Sequence, residues 1–225
     1  MKFGIVQFPG SCDDIDARDA AALVGEAELL WHADRDLKGV DAVIVPGGFS
    51  YGDYLRAGAI ARFAPVMAEV EEFARAGGLV LGICNGFQVL CEAHLLPGAL
   101  LPNVSLKFVF RQVELQVVRG GGPFTGGCEA NERLSIPVKH TTGRFYAPEA
   151  ELDRLEAAGQ VLLRYAPGHN PNGPLRDIAG VCNEQGNVFG LMPHPEHAVD
   201  SLTGSIHGLK IFESMRAHVE QHVLA

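Results

Sequence analysis

The sequence predicts an α/β fold: an open, mostly parallel twisted sheet of flavodoxin-like type with helices on both faces and an antiparallel β extension. Three observations lead there. Short apolar runs alternate with helix-length stretches from Phe3 to His94, a rhythm produced by parallel strands covered on both faces. Loops rich in Gly, Pro and Ser follow those runs, at the strand carboxyl ends where such sheets bind ligands. A long β-rich run, Ser105 to Val118, then breaks the rhythm and supplies the antiparallel part.

The first strand is Phe3 to Phe8, followed by a helix over Ala17 to Glu28 and a second strand over Asp41 to Val45. A helix over Ala59 to Ala76 leads through Gly77-Gly78 into the buried strand Leu79 to Ile83, and a helix follows from Phe87 to His94. Downstream, Leu134 to Val138 reads as a strand, Ala147 to Ala158 as a helix closed by Gly159, and Val161 to Tyr165 as a strand. Ile178 to Leu191 reads as a hairpin turning at Glu184-Gln185-Gly186-Asn187, and an amphipathic helix runs from Gly204 to Val219. The glycine-rich segments at 120–123 and 125–127 are flexible loops without the lysine of a phosphate cradle. The expectation is one domain over residues 1–225.

Hydrophobic residues make up 47% of the chain and charged ones 20%, the balance of a folded globular protein. No apolar stretch is long enough to span a membrane, and the chain enters a strand at once, so a cytoplasmic location is expected. A net charge of −9 argues against a nucleic-acid partner. Cys12, Cys84, Cys91, Cys128 and Cys182 form no C-x-x-C pair, and reduced thiols are expected. No metal is expected: His194 and His197 could share an ion in principle, but the sequence suggests no third ligand beside them.

Chemistry concentrates in two places. Gly82-Ile83-Cys84-Asn85-Gly86 puts a cysteine between glycines where a strand gives way to a helix. That is the form of a nucleophile elbow, at a helix N-terminus where unpaired N–H groups favour an anion. Far downstream, Met192-Pro193-His194-Pro195-Glu196 follows another apolar run. Residues two apart in an extended segment share a side, so Glu196 can fix the His194 ring. A cysteine, an imidazole and a carboxylate suit acyl transfer. The N–H of Asn85 and one from Gly47-Gly48 are candidates for an oxyanion hole, where losing one donor costs about 3–4 kcal/mol. Tyr51, Tyr54 and Arg56 sit in a loop longer than a tight turn needs and are candidates for a partner interface.

The order of nucleophile, histidine, then acid two residues on resembles the class I glutamine amidotransferases, whose domains carry G-x-C-x-G followed by Gln and end in H-x-E. Gly82-Ile83-Cys84-Asn85-Gly86-Phe87-Gln88 and His194-Pro195-Glu196 match that pattern. Residues 46–56, Asn170-Pro171-Asn172-Gly173 and residues 183–196 are similar to the family of glutaminase subunits of phosphoribosylformylglycinamidine synthases. The chain departs in its first loop, Pro9-Gly10-Ser11-Cys12-Asp13, which is one residue short, and in His197, where a basic residue is usual.

The resemblance implies hydrolysis of L-glutamine to glutamate and ammonia, with the ammonia used by a larger synthetase subunit in purine synthesis. It implies Cys84 as nucleophile, His194 as acid and base, Glu196 as orienter, Gly48 and Asn85 as oxyanion hole, and Gln88 and His140 as substrate contacts. It also implies a small bridging subunit, no cofactor in this chain, and ATP with magnesium in the synthetase subunit. Other readings are a member of another class I amidotransferase complex, a cysteine peptidase or deglycase, and a non-catalytic flavodoxin-like module. Peptidases and deglycases of this type place the histidine directly after the nucleophile, where this chain has Asn85.

Overall fold

The computed structural model describes residues 1–223. The strands are β1 (Lys2–Gln7), β2 (Glu26–Trp31), β3 (Ala42–Val45), β4 (Leu79–Ile83), β5 (Ala99–Pro102), β6 (Val109–Val117), β7 (Arg133–His140), β8 (Thr142–Tyr146), β9 (Val161–Tyr165), β10 (Ile178–Cys182) and β11 (Val188–Leu191). The helices are α1 (Asp14–Ala22), α2 (Pro65–Arg75), α3 (Asn85–Glu92), the single turn α4 (Gly122–Thr125), α5 (Glu149–Ala157) and α6 (Leu209–Val223). Among the described residues, nine strands form one sheet in the order β2-β1-β3-β4-β11-β10-β9-β6-β7, and β5 pairs with β8 beside it.

Strands β2, β1, β3, β4 and β11 are parallel. From β11 onward the pairings are antiparallel, through β10, β9, β6 and β7. Ala42-Val43-Ile44-Val45 and Leu79-Val80-Leu81-Gly82-Ile83 are buried at every position, as the centre of a sheet covered on both faces requires. Helix α2 opens with Pro65, whose missing N–H is no loss in the first turn. It buries Val66, Met67, Val70 and Ala74 along one stripe. Helix α3 lies so close to the sheet that a Cβ on Gly86 would run into the Val45 carbonyl oxygen, and one on Gly82 would come within 2.9 Å of Gly86.

Several boundaries differ from the sequence expectation, each for a local reason. The helix expected to reach Glu28 ends at Ala22, and Glu26–Trp31 is instead the edge strand β2. Leu30 is the single buried residue of that strand, so its apolar signal is weak, while Lys2 and Lys38 both pair with Glu28. The helix expected from Ala59 is interrupted: Ala64 is extended ahead of Pro65, as a residue before proline tends to be. The last helix begins at Leu209, because Gly204 ends a separate turn at φ 100°. Strands β5 and β8 lie outside the sequence expectation; each is short, and β8 follows β7 after a single residue.

Candidate active site

Four neighbouring parallel strands deliver the site. Strand β4 ends at Ile83, in register with Leu191 at the end of β11, so the chain leaves both strands at the same sheet edge. Cys84 follows β4 and His194 follows β11. The Cys84 N–H donates to the Leu191 carbonyl at 2.8 Å, and the His194 N–H donates to the Pro137 carbonyl of β7, also at 2.8 Å. The Gly47-Gly48 turn follows β3, and Asp13 follows β1.

Cys84 holds φ 51°, ψ −103° as it turns from strand to helix. A φ in this range is uncommon for a residue bearing a Cβ and is strained. The residue is buried, and its sulfur lies 3.9 Å from the Lys139 carbonyl oxygen. Cys84, His194, Gly48, Gln88, His140 and Asp13 share the wall of one cavity of about 70 Å³.

His194 is fully buried, and its Nδ1 pairs with Glu196 Oε1 at 2.6 Å. Among the described residues its Nε2 has no partner at ordinary hydrogen-bond geometry, and Cys84 is the group that acts on the ring besides Glu196. Burial alone would lower the His194 pKa, but the Glu196 carboxylate and the Cys84 sulfur outweigh it and raise it. The ring is therefore biased toward the imidazolium, the partner a thiolate needs.

Two side chains at this centre have no counterpart among the sequence candidates. Asp13, also buried, lies with Oδ2 3.7 Å from His194 Nδ1 and Oδ1 3.3 Å from His197 Nε2, and Lys139 Nζ donates to the same Oδ1. Burial favours a protonated Asp13, but His197, His194 and Lys139 together hold its carboxyl well below the usual range. The glycine at position 47 accommodates this, since a Cβ there would lie 2.8 Å from His194 Cε1 and would strike the Asp13 carboxylate. The available signal was the position of Asp13 just past a strand end. Lys139 carried none, because β7 comes from the antiparallel extension.

The ligand-type atoms of Asp13, His194, Glu196 and His197 all lie within 4.8 Å of one another. That corrects the expectation that no third ligand stands near the two histidines. Two imidazoles and two carboxylates are a zinc-type donor set, but here the Lys139 ammonium already neutralises Asp13, and His194 is engaged with Glu196.

Asn85 has a role beyond its backbone. Its buried amide accepts from the Ser50 N–H at 3.0 Å and from the Ser50 hydroxyl, and donates to Asp53 Oδ1 at 3.0 Å and Gln88 Oε1 at 2.8 Å. One side chain thus ties residues 50–53 to the start of α3. Gln88 lines the cavity, but both ends of its amide are engaged, with Asn85 and with the Thr142 carbonyl. His140 Nδ1 pairs with Asn103 Oδ1 at 3.1 Å, and its buried Nε2 has no partner among the described residues. Tyr51 turns inward, its hydroxyl 2.6 Å from His32 Nδ1 and its ring against Phe8. Arg56 forms a two-pronged pair with Glu92 at 2.6 Å per contact, and Tyr54 projects with 73% of its surface exposed.

The chain is similar to known proteins over nearly its whole length. Residues 2–219 match the model of the CobB/CobQ-like glutamine amidotransferase domain. The chain is 60% identical over 218 residues to phosphoribosylformylglycinamidine synthase subunit PurQ of Rubrobacter xylanophilus, covering 96% of this chain and 98% of that one. It is 60% identical over 215 residues to the PurQ subunit of Mycobacterium tuberculosis, covering 95% of each. The structure of PurLQS from Thermotoga maritima contains a chain that superposes with a TM-score of 0.89 at 42% identity, covering 97% of this chain and 98% of that one. A putative GMP synthase subunit from Thermoplasma acidophilum shares the fold, with a TM-score of 0.66 at 14% identity over 100% of this chain and 96% of that one. The chain belongs to the CobB/CobQ-like glutamine amidotransferases and, within them, to the family of phosphoribosylformylglycinamidine synthase PurQ subunits.

Proposed function

We infer that this chain is the glutaminase subunit of a phosphoribosylformylglycinamidine synthase, and that Cys84, His194 and Glu196 are its catalytic triad. The observation that carries the residue assignment is the buried cavity shared by Cys84 and His194, with Glu196 bonded to the far side of the ring.

In this reading the Cys84 thiolate attacks the side-chain amide carbon of glutamine. The N–H groups of Gly48 and Asn85 stabilise the oxyanion that forms; the first N–H groups of α3 have no acceptor within the helix and are available for it. His194 gives its proton to the departing nitrogen as the C–N bond breaks, releasing ammonia and leaving a glutamyl thioester. His194, now neutral, takes a proton from water as the water attacks the thioester carbon. Breaking the C–S bond releases glutamate and restores the thiolate. Glu196 holds the ring and its charge through both halves. Gln88 and His140 line the pocket for the substrate's amino acid end.

The ammonia passes to a large synthetase subunit that uses ATP and magnesium to convert formylglycinamide ribonucleotide to the amidine, and a small subunit bridges the two. This chain needs no cofactor of its own, and the complex works in the cytoplasm. Support for a partner here comes from exposed apolar residues: Phe49 and Phe108 line the cavity and are themselves exposed, and Tyr54, Leu55, Leu106 and Phe110, close to them in sequence, are exposed as well. Exposed apolar clusters of this kind mark interaction surfaces.

The test is ammonia release from glutamine by the assembled complex. It should disappear on Cys84→Ala, and a wild-type rate in that variant would remove the proposal.

A further inference from the structure

Beyond the triad, His194 faces a second carboxylate. We propose that Asp13 is a positioning residue for the glutaminase reaction, acting on the Nδ1 side of the His194 ring and held in place by Lys139 and His197. The proposal rests on the triad reading above and adds a residue to it.

The geometry is specific. Glu196 Oε1 takes His194 Nδ1 at 2.6 Å, and Asp13 Oδ2 stands 3.7 Å from the same nitrogen. At that separation in a buried site the interaction is electrostatic and is not a hydrogen bond. Asp13 is 3% exposed and comes from the loop between β1 and α1. An isolated buried carboxylate is costly. Here its other oxygen is met by the Lys139 ammonium, 126 residues away in sequence, and by His197 Nε2 at 3.3 Å. The absence of a side chain at Gly47 leaves room for the carboxylate to approach the ring.

Among the described residues, the titratable groups around His194 are Cys84 from the β4–α3 turn, Glu196 and His197 from the turn at Pro195–His197, Asp13 and His140, with Lys139 of β7 reaching them through Asp13. Cys84, Glu196 and Asp13 favour the charged ring, and Lys139 tempers Asp13. Asp13 thereby helps keep His194 protonated until the leaving nitrogen takes the proton.

The sign of each effect follows. Removing the Asp13 charge makes the imidazolium easier to deprotonate, so the alkaline limb of kcat/KM moves to lower pH. Removing the Lys139 charge frees Asp13 to act more strongly, so the limb moves to higher pH. A purely structural role for either residue moves neither limb, or moves both the same way.

The experiment measures Asp13→Asn and Lys139→Met beside the wild type. The His194 ring is titrated by NMR in the isolated chain, and kcat/KM for glutamine is followed against pH in the assembled complex. The expected result is a shift of roughly 1 pH unit downward in His194 titration for Asp13→Asn and an upward shift for Lys139→Met. The same directions are expected in the kinetic limb. Unchanged titration in both variants, or shifts of the same sign, would overturn the proposal. Because the NMR titration needs no turnover, it judges Asp13 even if the complex proves not to be a glutaminase. If Asp13→Asn does not fold, the Lys139→Met shift alone decides: upward supports the proposal, unchanged or downward ends it.

Discussion

A cysteine with φ 51° between a buried strand and a helix is costly to hold, and the local contacts show what holds it. Its N–H is fixed by Leu191 and its carbonyl by the Gln88 N–H at 3.2 Å, so both sides of the turn that carries the sulfur are held by the backbone. Losing Glu196 as orienter should then cost rate without costing fold: Glu196→Gln is expected to lower kcat on the order of a thousandfold while circular dichroism stays unchanged. His140 titrates in the opposite sense from His194. Burial first, and then the charge of His194, push its pKa down from 6.5 to about 4. Below the ordinary value the unfolded chain takes up a proton that the folded chain refuses. This stability is therefore complete above about pH 6.5 and is lost as pH falls toward 4, to the extent of about 3 kcal/mol. Urea unfolding at neutral pH and near pH 4 should show a drop that is smaller by about that amount in His140→Asn. That Cys84, His194 and Glu196 come together was legible in the sequence, because each sits in a short motif with its own spacing. Asp13 and Lys139 meet across 126 residues, and no local pattern encodes such a meeting.

At the scale of elements, the site depends on helix α3 resting directly on the sheet. Gly86 allows it, since any Cβ there meets the Val45 carbonyl of β3. Gly86→Ala is therefore expected to destabilise the protein by roughly 2–3 kcal/mol and to lower glutaminase activity, as the α3 N-terminus is pushed away from its strand. Denaturant midpoints and initial rates on the same preparation would check it. Elements with a continuous apolar signal, such as β4 and β9, were legible to the residue: Leu79 to Ile83 and Val161 to Tyr165 are strands in the structure as expected. Strand β2 was not, because an edge strand with acidic side chains on both sides of Ala27 carries a pattern that a helix end also carries. Strands β5 and β8 pair with each other outside the main sheet, and short pairs of that kind have little periodicity to read.

On the scale of the whole molecule, the parallel strands bring four loops to one edge, and the antiparallel extension lays β7 across them. The same edge presents Tyr54 and Leu55, which are 73% and 91% exposed. Tyr54→Glu should weaken co-purification with the synthetase subunit severalfold while leaving the folded chain intact, since most of the Tyr54 ring faces solvent. Arg56→Ala should do less to the complex than Tyr54→Glu, because Arg56 is already engaged with Glu92. The most direct test of the account is where glutamine becomes covalently attached. Acid-quenching the assembled complex during turnover and mapping the chain by mass spectrometry should find the glutamyl group on Cys84, with none in Cys84→Ser. A glutamyl group on a different residue, or undiminished ammonia release from Cys84→Ser, would contradict it.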